Sequence, residues 1–228
     1  MGVVEEKLIN EINAEEKQQG KKKPKAYNYF TFVWYPQDRP NLFKKGNEKL
    51  YNLGFFTFSP FHNEISDNYL IGKGKPHYHV LCKSANKQTE NAFIKALVEA
   101  LGNSLQGVAI HKGDTGVENV SLMLRYFLHL NNPIKEKFDC VKFYEECPIV
   151  FAGEYAKAFQ TEIQVYIQAY IIGSMCTEFA EVLASLGNSN IVITEWLNQR
   201  KHMQLVYNLL NDNRKTIKDL ERSGNNGV

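Results

Sequence analysis

The chain has 228 residues, which is enough for one well-buried core and a smaller second unit. Hydrophobic residues make up 43% of it and charged residues 23%, as in an ordinary globular protein, and no apolar run approaches the roughly 18 residues that cross a bilayer. The N-terminus lacks the basic and apolar regions of a signal peptide, so we expect a cytoplasmic protein that does not insert into a membrane. A net charge of +2 neither requires nor excludes a nucleic-acid partner.

The composition changes along the chain and predicts four segments. Residues 1–26 are rich in Glu, Lys, Gln and Asn and end in a lysine cluster, which predicts a charged mobile extension with at most a short amphipathic helix. Residues 27–150 mix strand and helix patterns, residues 151–210 show helical spacing, and residues 211–228 predict a flexible tail. The fold class is therefore α+β, followed by a smaller all-α domain. The lysine cluster could contact phosphates or could simply be solvated.

The individual elements follow from residue type and spacing. Aromatic and β-branched runs predict strands, whereas apolar residues at three- and four-residue steps predict helices. In chain order, the pattern predicts a strand at 27–35, a helix at 42–53, a strand at 55–60, a histidine-bearing strand near 77–81, a helix at 89–101, a strand at 107–111, and helices at 119–130, 154–172, 177–186 and 191–210.

A pair of histidines, His77 and His79, stands on one of these strands. Because side chains alternate along a strand, both imidazoles face one side while Tyr78 between them faces the other. Neutral imidazole is the commonest protein ligand for a metal. The pair therefore indicates a metal site, although two ordinary surface histidines would fit the same three residues.

Further side chains with the right chemistry come from two other elements. His62 follows a strand end, and Tyr126 lies on a predicted helix beside Arg125. Three histidines can hold a divalent ion and leave positions open for a substrate oxygen, and a metal that polarises a phosphate makes attack by a tyrosine feasible. A hard oxygen ligand from Glu64 or Asp67 would shift the preference toward manganese or magnesium.

Each of these residues also has an ordinary structural explanation. His62 could be a turn residue, and Tyr126 could pack in the core among its apolar neighbours. The agreement of residue types in order along the chain favours the catalytic interpretation. Other tyrosines that compete for the role are Tyr29, Tyr35, Tyr78 and Tyr144.

Four motifs in order along residues 27–150 resemble a known family. They are Tyr35-Pro36, Phe58-Ser59-Pro60-Phe61-His62, Lys75-Pro76-His77-Tyr78-His79-Val80-Leu81 and Met123-Leu124-Arg125-Tyr126-Phe127-Leu128-His129. Together they resemble the replication initiators of rolling-circle plasmids from Gram-positive bacteria, which are HUH endonucleases, and among them the streptococcal plasmid type.

The resemblance implies a central antiparallel sheet flanked by helices, with two histidines on the sheet and the nucleophile on a facing helix. His62, His77 and His79 match the histidine ligands of a divalent metal, Mn²⁺ or Mg²⁺, and Tyr126 matches the tyrosine that attacks DNA. A single tyrosine on the helix, with Leu124 two residues before it, is similar to the single-tyrosine initiators.

One departure from the family pattern concerns the fourth metal ligand. The family has an aspartate three residues after the first histidine, where this chain has Ile65. A one-residue deletion in the loop would put Glu64 in that role, and Asp67 is the other candidate. The fourth ligand therefore stays open between these two carboxylates.

The expected contacts with DNA come from basic side chains near the motifs. Lys73, Lys75 and Arg125 are candidates for contacts with the DNA backbone. His129, one turn after Tyr126 on the same side of the predicted helix, could orient the tyrosine or the phosphate. Residues 151–210 are similar in placement to the oligomerisation domain of the family, which implies a homo-oligomer in the form of a hexameric ring.

These features predict a plasmid rolling-circle replication initiator. We expect it to bind the double-strand origin and to nick and rejoin one strand, single-stranded at the nick site, through a 5′ phosphotyrosine and a free 3′ hydroxyl. A relaxase or a single-tyrosine transposase of the HUH class shares the architecture, and a non-catalytic DNA-binding regulator could use the same scaffold. Binding without cleavage in the presence of manganese would identify the regulator.

Overall fold

The computed structural model of the chain forms two compact units, residues 1–138 and residues 139–228. The sequence pattern had placed the boundary after residue 150. Of the predicted site residues, Glu64, Asp67 and Lys73 lie outside the described part of the chain. The structure describes residues 3–18, 24–44, 47–63, 75–187 and 190–225.

A five-stranded antiparallel sheet forms the centre of the first unit. Its strands are β1 (Ala26–Trp34), β2 (Gly54–Phe58), β3 (Tyr78–Thr89), β4 (Val108–Ala109) and β5 (Gly116–Val117). Their order is β2-β3-β1-β4, and β5 pairs with another part of β1. The predicted strands are confirmed, except that the strand expected at 107–111 shrinks to two residues and the histidine strand runs on to residue 89.

One face of the sheet carries the main aromatic core of this unit. Phe30 and Phe32 of β1 are buried on this face. Helix α3 (Glu90–Ala100) covers it, and the ring of Phe93 stacks on that of Phe30 with 4.1 Å between centroids. The helix begins after Thr89, whose side chain accepts a backbone hydrogen bond from the first turn. The helix predicted at 89–101 is therefore confirmed.

A helix also forms within the segment expected to be a mobile extension. Helix α1 (Val3–Gln18) places Ile12 against Ile94 and Val98 of α3, and the isoleucine is fully buried there. Burial of one such side chain stabilises the packed state by about 1.5–3 kcal/mol. Residues 3–18 of this segment therefore form a packed helix rather than a mobile extension.

The helix predicted at 42–53 is wrong over most of its length. Helix α2 is a single turn, Glu48–Tyr51, and the described residues 40–44 before it form turns. Leu42 is almost fully buried in the aromatic core, and the side-chain amide of Asn47 donates a hydrogen bond to its carbonyl. This burial and this local bond hold a turn where the apolar spacing alone favoured a longer helix.

Helix α4 (Val120–Phe127) lies on the opposite face of the sheet, where its end contacts His79. Its N-cap is Asn119, as the sequence predicted, and its Leu124 is fully buried. The predicted extension to residue 130 is wrong, because the helix ends at residue 127 and His129 adopts a left-handed backbone with φ of 56°. The apolar spacing continues past the helix end, but the chain turns there and carries the imidazole of His129 into the interior.

The described part of the second unit is helical. Its elements are α5 (Cys140–Glu145), a 3₁₀ turn (Ile149–Phe151), α6 (Ala152–Ala158), α7 (Gln160–Ser174), α8 (Phe179–Val182), a π-helical turn (Leu183–Gly187), α9 (Ile191–Leu197) and α10 (Arg200–Asn225). Helix α10 runs through most of the segment predicted as a flexible tail. The core of the unit includes Trp196, Phe151, Phe159, Ile163 and Ile167.

Among the described helices, no single one is long and apolar enough to span a membrane. Helix α7 and the following segment Phe179–Gly187 reach the required apolar length only as a pair, and they are bent by 116°. The apolar residues Ile163, Ile167 and Ile171 of α7 are buried inside the second unit, which accounts for the composition of this helix.

Candidate active site

An extra residue after β2 brings His62 to the face of the other two histidines. The N–H of Ser59 donates to the carbonyl of His79, and further along His62 and His77 exchange both of their backbone hydrogen bonds, at 2.9 and 3.0 Å. Between these two pairings the β2 side has two residues and the β3 side has one, which is a β-bulge. Without the bulge, the alternation of faces would put Phe61 in the position of His62.

The three histidines form one compact cluster. The ring centroid of His62 lies 5.4 Å from that of His77 and 4.8 Å from that of His79, and the last two are 4.8 Å apart. Each ring offers one nitrogen such that these ligand atoms all lie within 4.8 Å of one another. Within the described residues, this is the one group of three ligand-type side chains close enough to hold a metal ion.

The backbone fixes the tautomer of one of these rings. The Nδ1 atom of His77 lies 2.8 Å from the carbonyl of Lys75, which can only accept, so His77 donates its N–H there. Its Nε2 atom then carries the lone pair and lies 3.3 Å from Nε2 of His79. Two imidazole nitrogens bound to one ion at about 2.1 Å lie about 3.0–3.4 Å apart, so this spacing fits a shared metal.

The environment keeps His79 neutral. Its pKa is lowered to about 2, first by burial and then by the imidazoles of His62 and His77, with smaller effects from Lys135 and His129. Neutral imidazole is the form that binds a metal, whereas several protonated rings at these distances would repel one another. The donor set therefore fits a divalent cation, because the three clustered groups are imidazoles. In addition, the ring of His77 is oriented by a hydrogen bond to a backbone carbonyl, as metal-binding histidines usually are.

Tyr126 lies beside this cluster and is open to solvent. Its ring centroid is 4.9 Å from that of His79, and the residue is 43% exposed. The ammonium group of Lys135 lies 5.9 Å from the centre of the tyrosine ring. Helix α4 thus places one accessible phenol next to the histidines, which is the arrangement that the sequence predicted from three separate pieces of the chain.

Two predicted DNA-contact residues hold positions near the site. Lys75 forms an ion pair with Asp38, and its ammonium group lies 4.9 Å from the centre of the Tyr35 ring. Arg125 donates a hydrogen bond from Nε to the side-chain oxygen of Asn131 at 3.3 Å. Both side chains are partly accessible to solvent, so their predicted contacts with DNA are sterically possible.

His129 occupies a different place from the one expected. The residue is 1% exposed, and it lies past the end of α4 rather than one turn along its surface. Its Nε2 atom is 3.3 Å from Nδ1 of His62, and its Nδ1 atom is 2.8 Å from the carbonyl of Glu136. A direct contact of this side chain with DNA is at odds with its burial.

Three further residues at the site were missed by the sequence reasoning. Lys135 lies in the loop after α4, where no periodicity points to it. Ser59 is buried and accepts the backbone N–H of His79 on its hydroxyl at 2.9 Å, and Phe138 stacks on the ring of His62 at 5.3 Å. The position of Ser59 directly before Pro60, in the motif that ends in His62, was the one available signal.

A comparison with protein families supplies the context for this geometry. The family model of the plasmid replication protein, origin binding domain, matches residues 21–147, which is more than half of the chain. The chain belongs to this family. It is therefore a plasmid replication initiator whose matched domain binds the origin, and DNA is its partner. No curated protein matches the chain at a significant level.

The matched residues of this initiator include the whole described sheet, the three clustered histidines and Tyr126. Helix α5 of the second unit also lies within the match. The prediction of a plasmid replication initiator with an α+β fold is confirmed at this level.

Proposed function

We propose that this initiator nicks and rejoins one strand at the plasmid origin by metal-dependent transesterification through Tyr126. The observation that carries the proposal is the accessible phenol of Tyr126 beside a cluster of three imidazoles, of which those of His62 and His77 are buried. A tyrosine is a weak nucleophile, so it needs help from groups that offset the charge of the phosphate it attacks. The position of the histidine cluster beside the Tyr126 ring supports this role.

In the proposed reaction, the phenolic oxygen of Tyr126 attacks the scissile phosphorus of a single-stranded DNA segment. The new O–P bond forms as the bond between phosphorus and the 3′ oxygen breaks, and the phenolic proton is passed through solvent to that oxygen. The products are a 5′ phosphotyrosine and a free 3′ hydroxyl. Rejoining is the reverse attack by a 3′ hydroxyl on the phosphotyrosine.

His62, His77 and His79 would hold the divalent ion of this reaction, Mn²⁺ or Mg²⁺. Such an ion supplies charge that offsets the phosphate oxygens and the leaving 3′ oxygen. An additional oxygen ligand would favour these hard cations over zinc, and Glu64 and Asp67 remain the sequence-based candidates for it.

The competing tyrosines are less well placed for this chemistry. Tyr78 stacks on Trp34 at 5.2 Å, on the sheet face opposite the histidines. The ring of Tyr35 lies 5.9 Å from that of His77, farther than the 4.9 Å between the rings of Tyr126 and His79. Both observations support Tyr126 as the nucleophile.

Lys135 is proposed to assist Tyr126 by its charge. An ammonium group near the phenol favours the developing phenolate and attracts the phosphate of the DNA. We expect Lys135→Met to lower the nicking rate by about 10²–10³-fold, as loss of one electrostatic contact at a transition state does. Lys135→Arg keeps the charge and is expected to retain most activity in a supercoiled-plasmid nicking assay. Equal losses in the two variants would argue for a purely structural role.

The proposal also covers the oligomeric state of the protein and its location in the cell. We propose that residues 151–210 join copies of the chain into a homo-oligomer, as the hexameric rings of similar initiators imply. Exposed apolar side chains in this region, Val165, Ile172 and Met175, are consistent with contacts between copies. Because a plasmid initiator works on plasmid DNA, we propose the cytoplasm as its location.

The proposal is tested most directly by trapping the covalent intermediate. Purified protein is mixed with Mn²⁺ and labelled single-stranded oligonucleotides that span the origin of its own plasmid. We expect a protein–DNA adduct on a denaturing gel, carrying the 5′ end of the cleaved product on a tyrosine. Origin binding without any adduct under these conditions would favour the non-catalytic regulator, and cleavage of transfer-origin or transposon-end oligonucleotides alone would favour a relaxase or transposase.

A further inference from the structure

A short chain of hydrogen-bonding groups links the histidine cluster to the loop after α4. The Nδ1 atom of His62 lies 3.3 Å from Nε2 of His129, and Nδ1 of His129 lies 2.8 Å from the carbonyl of Glu136. Both imidazoles are almost fully buried, His62 at 0% and His129 at 1% exposure. Their ring centroids are 4.4 Å apart.

The proton positions in this chain follow from the acceptor at its end. A carbonyl oxygen can only accept, so Nδ1 of His129 carries a hydrogen and donates it to Glu136. A neutral imidazole carries one N–H, so Nε2 of His129 is then an acceptor. A hydrogen on Nδ1 of His62 would complete the contact between the two rings, whereas the carbonyl of Phe127 competes for a hydrogen on Nε2 of the same ring. In this arrangement the lone pair of His62 lies on its Nε2 atom.

The alternative tautomer of His62 is less favourable once a cation is present. Its Nε2–H would donate to the carbonyl of Phe127 at 3.0 Å, but lone pairs of His62 and His129 would then face each other across 3.3 Å. In the first tautomer the lone-pair-bearing Nε2 atom and the Phe127 carbonyl oxygen lie 3.0 Å apart, and a cation beside them would attract both. Metal binding thus favours the tautomer with hydrogen on Nδ1.

We propose that His129 is a positioning residue that accepts the Nδ1–H of His62 and so presents the Nε2 lone pair of His62 to the metal. This inference rests on the metal site of the proposed function. It gives His129 a role toward the metal ligand rather than a direct contact with DNA.

The end of helix α4 makes this contact possible. His129 has a left-handed backbone, its N–H donates to the carbonyl of Tyr126, and its carbonyl accepts from Asn132. The turn therefore aims the imidazole inward while Tyr126, three residues earlier, stays exposed. The same turn holds the nucleophile and the residue that orients a metal ligand, so both depend on where the helix stops.

Two substitutions separate positioning from structure. The side-chain oxygen of glutamine reaches the position of Nε2 and can accept from His62, whereas the side-chain nitrogen of asparagine reaches the position of Nδ1 and can donate only to Glu136. Asparagine also adopts a left-handed backbone readily, so His129→Asn is expected to fold at least as well as His129→Gln. His129→Leu removes both contacts.

The measurement is the affinity for Mn²⁺ by calorimetry, with thermal unfolding of the metal-free proteins as the check on folding. We expect His129→Asn and His129→Leu to bind Mn²⁺ about 10–100-fold more weakly than wild type, and His129→Gln to stay within a few-fold. Equal affinity in all four proteins would overturn the inference. An equal loss in all three variants would overturn it as well, because it would indicate that the imidazole of His129 itself binds the metal or only fills space.

A spectroscopic readout tests the tautomer itself. Long-range ¹H–¹⁵N correlation spectra of histidine-labelled protein loaded with Zn²⁺, a diamagnetic probe, should place the hydrogen of His62 on Nδ1. A hydrogen on Nε2 would contradict the inference. If wild-type protein binds neither Mn²⁺ nor Zn²⁺, the proposed function fails instead, so the two failures are distinguishable.

Discussion

Tyr126→Phe is expected to abolish nicking of a supercoiled origin plasmid while origin binding stays within about twofold of wild type. The change removes one oxygen from a side chain that is 43% exposed, so its effect on stability should be small. Loss of the attacking atom leaves no alternative route to the covalent intermediate, and we expect the rate to fall by at least about 10³-fold. Nicking is followed by conversion of supercoiled to open-circular DNA, and binding by gel shift.

Two other tyrosines provide matched controls for this variant. Tyr35→Phe removes a phenol hydroxyl close to His77, and Tyr78→Phe removes one on the sheet face opposite the histidines. Both should nick the plasmid at near wild-type rates. If Tyr126→Phe cleaves as well as these controls do, the assignment of the nucleophile is lost.

Replacing His77 and His79 together by alanine is the second change with a large expected effect. The double variant removes two of the three clustered imidazoles, including the pair of nitrogens that lie 3.3 Å apart. Substitutions around metal ligands lower metal affinity by about 10–100-fold, so loss of two ligands should cost more than that. We expect Mn²⁺ binding to fall below detection by calorimetry, together with metal-dependent cleavage.

The domain should still fold in this double variant. Its main aromatic core lies on the other face of the sheet, around Phe30 and Phe93. Circular dichroism and a cooperative thermal transition check this point. His111→Ala, an exposed histidine of the same unit, serves as the control and should bind Mn²⁺ normally. An unchanged metal requirement in the double variant would count against the proposed ligand set.

Much of the fold follows from local pattern. The aromatic runs of β1 and β2 and the capped helices α3 and α4 were predicted within a few residues, because each joins a strong periodicity to a recognisable start. The wrong helix predictions occur where tertiary packing overrides the spacing of apolar residues in the sequence. Leu42 is buried in a turn rather than in a helix, and α4 stops although apolar spacing continues beyond it.

The candidate site was predicted in part, for a similar reason. Alternation along a strand places His77 and His79 on one face without any knowledge of the rest of the fold. His62 joins them only through a bulge, which depends on how two strands are paired and is invisible in the spacing of residues. Lys135 and the inward turn of His129 depend on a loop with no repeating pattern.

The paired backbone hydrogen bonds between His62 and His77 have a consequence for how this site can vary among related plasmids. They hold the two histidines together independently of the segment between them, so residues can be gained or lost in that segment without shifting either ring. Counting forward from His62 is then a poor guide to a ligand within that segment. Relatives should be aligned separately from each of these two histidines, so that insertions and deletions fall between them.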